Sequence, residues 1–154
     1  MINRQEQALV RRGSLGDAAV DGLFAGLGAG LVMAVYLVLA GLLNGVGPAV
    51  VLARFSTGES LSPWTGLLSH LAVSSMYGVV FGLLIFLLPR RLAVPDTLWL
   101  AGALYGVLLF LVAVFIILPG TASAFDETPL FHLAAAHILY GLAVGLFSSR
   151  GSVR

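Results

Sequence analysis

The sequence contains no cysteine and no lysine, and it has few charged residues of either sign. The absence of cysteine excludes disulfides, thiolate metal sites, cysteine nucleophiles and covalent c-type haem attachment. Charged residues make up 10% of the 154 residues, whereas an ordinary soluble domain has about 25%. This composition argues against a water-soluble domain. The net charge is only +1, so no basic surface indicates nucleic-acid binding.

Long apolar runs dominate the chain instead. Hydrophobic residues make up 59%, and the mean hydropathy is +1.03. A helix needs about 20 apolar residues to cross a bilayer, and four runs are long enough, which we number spans 1 to 4: 18–43, 64–88, 97–118 and 130–148. The sequence therefore predicts an all-α, polytopic membrane protein whose residues 1–154 form a single four-transmembrane-helix bundle.

Helix-end signals border these spans. Ser14 and Asp17 have the spacing of a capping box, and a hydroxyl residue precedes Pro63 and Pro129 at the starts of spans 2 and 4. The longest connection is 44–62, and its stretch 49–55 is apolar apart from Arg54. Two interpretations of this segment stay open, a short helix lying on the membrane or a loop packed against the ends of the spans.

The arginines predict the orientation of the bundle, because cytoplasmic loops carry an excess of positive residues. Arg54 alone lies on one side of the predicted membrane, and seven arginines lie on the other: Arg4, Arg11, Arg12, Arg90, Arg91, Arg150 and Arg154. The pattern predicts that both termini and the turn at 90–95 are cytoplasmic, and that 44–62 and 119–129 face the outside. The expected location is a bacterial inner membrane.

Glycines four residues apart recur in every span. Those predicted to mediate helix packing are Gly22, Gly26, Gly30, Gly78, Gly82, Gly102, Gly106, Gly141 and Gly145. Small residues let helix backbones approach closely inside lipid, where the hydrophobic drive between helices is weak. Spans 2 and 4 share a Tyr-Gly-x-x-x-Gly pattern, which predicts a parallel internal repeat of two helical hairpins.

The depth of these glycines predicts an asymmetric bundle. They lie in the first half of the outward-running spans and in the second half of the inward-running spans, and therefore all toward the cytoplasmic leaflet. Tight packing there favours a cavity or groove in the outer leaflet. The alternative is that bulky side chains such as Phe110 and Leu37 fill that volume, since close packing is the default in proteins.

The three histidines are the main candidate site residues, because ionisable groups inside a membrane are functional hypotheses by default. His70 and His137 share helix faces with the glycines of spans 2 and 4, and they converge if those spans face each other. Such a pair can ligate a b-type haem. With His132 and Asp126 or Glu127 they can also hold copper or zinc. The alternative is that each imidazole hydrogen-bonds a serine, tyrosine or carbonyl of another helix.

Tyr77 and Tyr140 are predicted to lie beside these histidines and to support any cofactor bound there, since each roughly shares the face of its histidine. A phenol this deep in the membrane needs an internal hydrogen-bond partner. The sequence contains no H-E-x-x-H, Walker or serine-elbow motif. We therefore predict no enzymatic activity.

Three stretches of the chain resemble a known group of proteins. They read ALYG at 103–106, LPG at 118–120 and HILYGLAVGL at 137–146. Together with the glycine-rich first span they resemble small four-span bacterial inner-membrane proteins of unknown function, including the YagU-like group. The resemblance implies a membrane fold and supplies no catalytic or binding residues.

The leading functional hypothesis is a scaffold or accessory subunit of a larger membrane complex, such as a respiratory or other energy-transducing one. It rests on the lack of enzyme motifs, the small soluble mass and the glycine faces suited to helix association. The first alternative is a haem- or metal-binding redox module that uses His70 and His137. The second is a small channel, transporter or lipid-binding protein with an outer-leaflet cavity. The expected partners are the lipid bilayer and other membrane subunits or a second copy of the chain.

Overall fold

A computed structural model of the chain describes residues 14–56, 62–89, 95–120 and 128–151. Within these ranges the secondary structure is helical and contains no strand. Four long helices are apolar enough to cross a membrane. These features confirm an all-α membrane protein built as a four-helix bundle.

The four long helices correspond to the predicted spans. They are α1 (Leu15–Leu43), α3 (Pro63–Leu87), α4 (Leu98–Val112) and α5 (Leu130–Gly151), and a short helix, α2 (Pro48–Ala53), lies between α1 and α3. Helix α4 continues as a π-helical segment, Ala113–Ile117, and a short 3-10 turn. We call the end of the bundle that holds Ser14 and Gly151 the terminal end, and the opposite end the loop end.

The capping box predicted at the start of α1 is present. The Asp17 backbone N–H donates to Ser14 Oγ at 3.1 Å, and the Ser14 backbone N–H donates to Asp17 Oδ2 at 2.7 Å. Because this cap fixes the first turn, α1 begins at Leu15 rather than at the predicted residue 18. The Ser62 side chain makes no such bond at the start of α3.

The connection after α1 combines the two interpretations left open by the sequence. It contains a helix, α2, and that helix packs against α1 and α3. Val51 of α2 is buried, and Leu52 lies so close to Gly66 that a Cβ on this glycine would collide with the Leu52 carbonyl. Helix α2 therefore closes one side of the loop end.

The helices follow the order α3–α1–α5–α4 around the bundle. Helix α1 packs against α3 and α5, and α4 packs against α5, whereas α3 and α5 meet only at a few points. Large side chains bridge the remaining side, between α3 and α4. Tyr105 Oη donates to the Tyr77 carbonyl at 2.9 Å, and the Tyr105 ring centroid lies 5.3 Å from that of Phe81.

All nine predicted packing glycines lie where two helices touch. A Cβ added at any of them would collide with the neighbouring helix. In the first hairpin Gly78 lies against the Gly22 carbonyl and the Gly26 Cα. In the second hairpin Gly141 lies in the same way against Gly102 and Gly106. The two hairpins therefore use the same register of glycine contacts.

The loop half of α4 is packed differently from its terminal half. Gly102, Tyr105 and Gly106 are buried in α4, but the π-helical segment Ala113–Ile117 contains no buried residue. Ile116 in that segment is 71% exposed. Leu109 is the last buried residue of α4, so close packing ends about one turn before the π-helical segment.

Candidate functional site

A polar cluster at the loop end joins the end of α1 to the start of α5. His132 Nδ1 lies 3.0 Å from Tyr36 Oη, and His132 Nε2 lies 3.5 Å from Asn44 Nδ2. The Asn44 amide nitrogen also donates to the Ala40 carbonyl at 2.8 Å. An amide NH₂ group is a donor only, so His132 Nε2 accepts and Nδ1 carries the proton that is donated to Tyr36.

A cavity of about 40 Å³ lies beside this cluster, between α1, α2 and α5. A buried water needs about 10–15 Å³ of such space, so the cavity has room for a few waters or for one small chemical group. Its floor is apolar, with Leu37, Ala40 and Val51. Its rim carries the polar side chains of Asn44, Arg54, Thr128 and His132.

Arg54 is held at this rim by a second element. Its Nη1 donates to Thr128 Oγ1 at 3.2 Å, which links the segment after α2 to the start of α5. Thr128 is the hydroxyl residue before Pro129, and its hydroxyl oxygen accepts the bond from Arg54. The rim of the cavity therefore combines a cation with hydroxyl, amide and imidazole groups above an apolar floor.

His70 connects α3 to α1. Its Nε2 lies 2.9 Å from the Gly30 carbonyl oxygen, and its ring centroid lies 4.4 Å from that of Phe55. A carbonyl oxygen only accepts hydrogen bonds, so Nε2 must carry a proton. In the neutral imidazole the lone pair is then on Nδ1.

His137 is oriented by its own helix. Its Nδ1 lies 2.8 Å from the Leu133 carbonyl oxygen one turn earlier, and its ring faces Phe110 edge-on at 6.0 Å. By the same reasoning Nδ1 carries the proton, and Nε2 of the neutral ring has the lone pair. This tautomer is opposite to that of His70.

The two histidines do not occupy equivalent positions in the two hairpins. In the shared glycine register His137 corresponds to Ser74. Each lies four residues before a packing glycine, Gly141 or Gly78. The His137 carbonyl lies against Gly106, and the Ser74 carbonyl lies against Gly26. His70 lies one turn nearer the loop end, about 6 Å at 1.5 Å per residue.

The glycines of α3 pack on α1 and those of α5 pack on α4. The glycine faces of α3 and α5 therefore do not meet. Convergence of His70 and His137 was predicted only if these faces met. His70 contacts α1 through Gly30, whereas His137 contacts Phe110 of α4.

These positions do not provide the predicted haem or metal ligands. Within the described ranges no three His, Asp or Glu side chains lie close enough together to hold a metal ion, so His70, His132 and His137 do not form one site. Asp126 and Glu127 lie outside the described residues. His70 Nε2 is hydrogen-bonded to the Gly30 carbonyl of α1. A bis-histidine haem bound through Nε2 would require this hydrogen bond to break. The residues as arranged do not fit a haem.

The buried tyrosines fasten α3 to its neighbours. Tyr140 Oη donates to the Ser74 carbonyl at 2.6 Å, and Tyr105 Oη donates to the Tyr77 carbonyl at 2.9 Å. In the part of the chain that the structure describes, neither of these two hydroxyls bonds a histidine. Tyr140 therefore acts in helix packing rather than as a support for His137. Tyr77 takes part through its backbone carbonyl, which accepts the bond from Tyr105.

Sequence reasoning did not include three residues of the loop-end cluster among its site candidates: Tyr36, Asn44 and Arg54. The sequence did contain an indication for Arg54, because it is the one arginine predicted on the outer side of the membrane. Asn44 directly follows the last apolar residue of span 1, a typical helix-end position. Tyr36 gave no signal, since nothing in the sequence places it opposite His132, which is 96 positions away.

Comparison of the chain with models of protein families, with curated proteins and with solved structures finds no match.

Proposed function

We propose that this chain is a non-catalytic protein of the bacterial inner membrane that binds an amphiphile at the loop end of its bundle. The cavity between α1, α2 and α5 carries this proposal, because it combines an apolar floor with a polar rim. With both termini in the cytoplasm, as the arginines predict, the cavity lies at the outer surface. This function corresponds to the lipid-binding alternative derived from the sequence.

The chemistry of the rim favours an anionic head group. Basic pockets between transmembrane helices are suited to lipid phosphates, and the Arg54 guanidinium lies at this rim with Thr128 and His132. The apolar floor, in a cavity of about 40 Å³, suits only the first few carbon atoms that adjoin the head group. The loop half of α4, which lacks buried residues in Ala113–Ile117, leaves the outer half of the bundle open to lipid.

Filling the cavity floor is expected to release the amphiphile without unfolding the protein. Ala40 is buried and lines the cavity, so Ala40→Leu places three more carbon atoms in the space. The protein is reconstituted in nanodiscs of phosphatidylglycerol and phosphatidylethanolamine. Native mass spectrometry then counts the lipids that stay bound to the protein after it has been freed from the nanodisc. We expect at least a fivefold loss of the lipid-bound form.

Val35→Leu is the matched control, because Val35 lies on the same helix but is 58% exposed. It should retain lipid as the original protein does. Equal lipid retention by the Ala40→Leu variant and this control would contradict the proposal.

A role as accessory subunit of a larger complex is the second candidate, and the exposed face of α4 favours it. The glycines that suggested helix association are all used inside the chain, so they do not provide the partner surface. The segment Ala113–Ile117 does remain without buried residues. A helix of another subunit, or of a second copy, would find its docking surface there.

Site-directed cross-linking tests this second candidate, since a chain without cysteine accepts a single unique label. Ile116→Cys carries a benzophenone on the exposed face of α4, and Met76→Cys carries it on α3, where the residue is 69% exposed. After illumination in native membranes we expect one discrete protein adduct from position 116 and none from position 76. Equal labelling at the two positions would indicate lipid contact only.

A further inference from the structure

The hydrogen bonds of His132 at the loop end fit a neutral imidazole. Its Nδ1 lies 3.0 Å from Tyr36 Oη, and its Nε2 lies 3.5 Å from Asn44 Nδ2. The Asn44 side chain is fixed in this orientation, because its nitrogen also donates to the Ala40 carbonyl at 2.8 Å. If the amide turned over, its oxygen would face that carbonyl, and two acceptors repel each other. Asn44 therefore holds Nε2 of His132 as an acceptor.

Protonation of His132 turns Nε2 into a donor. Both ring nitrogens of an imidazolium carry a hydrogen, so the Nε2 hydrogen then points at another donor, the Asn44 NH₂ group. The Tyr36 hydroxyl still accepts from Nδ1. The charged ring therefore needs an acceptor for Nε2 that Asn44 does not supply. An anion supplies it through a charge-assisted hydrogen bond, which is stronger than a neutral one.

The cavity between α1, α2 and α5 gives an anion access to this ring. His132, Asn44 and Arg54 all line it, and the described lining residues include no carboxylate. The titratable or charged groups placed around His132 are Tyr36 of α1 and Arg54 after α2. His70, in the loop half of α3, bonds α1 instead, and the loop half of α4 carries no titratable side chain.

We propose that the cavity binds a phosphodiester anion together with one proton, which His132 takes up. The inference rests on the proposed function, because the phosphodiester is the head group of the amphiphile. Since the anion is bound more tightly by the protonated ring than by the neutral one, its affinity rises as the pH falls. The rise occurs between about pH 8 and pH 5, where histidine side chains ordinarily change charge.

Lipid retention at two pH values tests this coupling. The protein is placed in nanodiscs of equal amounts of phosphatidylglycerol and phosphatidylcholine, whose phosphodiesters do not titrate in this range, and native mass spectrometry gives the ratio of the two lipids that stay bound. We expect this ratio to be at least fivefold higher at about pH 5.5 than at about pH 8. His132→Gln keeps a polar side chain that cannot change charge, and its ratio should be the same at both pH values.

Two controls separate His132 from other sources of pH dependence. Asp126 and Glu127 precede α5 in the sequence and lie outside the described residues. The double variant Asp126→Asn, Glu127→Gln should keep the pH response. Ala40→Leu, which fills the cavity floor, should lose the response, because anionic lipid that merely surrounds the bundle is not affected by this substitution.

Nitrogen NMR of the ¹⁵N-histidine-labelled protein reports the proton directly, and His132→Gln identifies the His132 signals. At about pH 7, exchanging phosphatidylcholine for phosphatidylglycerol should convert the His132 ring from the Nδ1–H tautomer to the doubly protonated form. Glycerophosphoglycerol, the same head group without chains, is the soluble control. An equal response to it would keep the proton coupling but would replace the amphiphile by a free phosphodiester.

The outcomes distinguish the failure of this inference from the failure of the proposed function. If phosphatidylglycerol is released by Ala40→Leu but its retention by the original protein is the same at both pH values, lipid binding stands and the proton coupling is wrong. The coupling is also wrong if His132→Gln keeps the pH response. If Ala40→Leu retains phosphatidylglycerol as the original protein does at both pH values, both proposals are overturned.

Discussion

Gly78→Ala is expected to destabilise the bundle by about 3 kcal/mol or more, the upper end of the range for overpacking a core. A Cβ at Gly78 would meet the Gly22 carbonyl on one side and the Gly26 Cα, at 2.5 Å, on the other. Both obstacles are backbone atoms, so no side-chain rotation relieves the collision. The two helices must separate, and the loss extends along their whole interface.

Unfolding is followed by the fluorescence of Trp64 and Trp99 as the protein in mixed micelles is titrated with sodium dodecyl sulfate. Gly47→Ala is the matched control, because a Cβ there meets nothing within 4 Å and its φ of −68° suits alanine. We expect the control to unfold within about 0.5 kcal/mol of the original protein. If Gly78→Ala unfolds together with this control, the glycine contact between α1 and α3 is not as described.

Ala136→Leu is expected to have the next largest effect, a loss of about 2–3 kcal/mol in the free energy of unfolding. Ala136 is 0% exposed and belongs to the same buried cluster as Ala29 and Met33 of α1. A leucine needs space for three more carbon atoms, and the small residues of α1 and α5 leave none. The substitution therefore forces the central pair of helices apart.

Ala72→Leu is the corresponding control, because Ala72 is an exposed residue of α3. The same added volume then projects toward lipid and should leave the unfolding transition nearly unchanged. Both variants are compared by thermal unfolding in detergent, monitored by circular dichroism. A lower transition temperature for both variants, by similar amounts, would show that added bulk is costly anywhere on these helices and not specifically at the α1–α5 contact.

The number of helices and their limits follow from local signals in the sequence. Apolar length, Pro63, Pro129 and the Ser14–Asp17 capping box each act within a few residues, so they can be found without knowing the partner helix. The glycine positions also predict close contact, because a missing side chain has the same consequence whichever helix approaches. The π-helical segment after Val112 has no such local signal and was not predicted.

The composition of the candidate sites was harder to predict, because it depends on which helices are neighbours. From the sequence, His70 and His137 converge only if spans 2 and 4 face each other, and the shared pattern of these spans does not say which helices they face. In the structure the same pattern arises because each span packs against the first helix of its own hairpin, α1 or α4. Pairs such as Tyr36 with His132 need this long-range arrangement, and local periodicity does not contain it.

The most direct test of the packing asymmetry is the width of spin-label distance distributions between α3 and α4 in nanodiscs. One pair of labels is placed at the terminal end, on Leu84 and Leu100, and the other at the loop end, on Leu68 and Phe115, all of which are exposed. A bundle in which α4 is held by glycine contacts only toward the terminal end predicts a narrow distribution for the first pair and a clearly broader one for the second. Equally narrow distributions for both pairs, or a broader one at the terminal end, would contradict it.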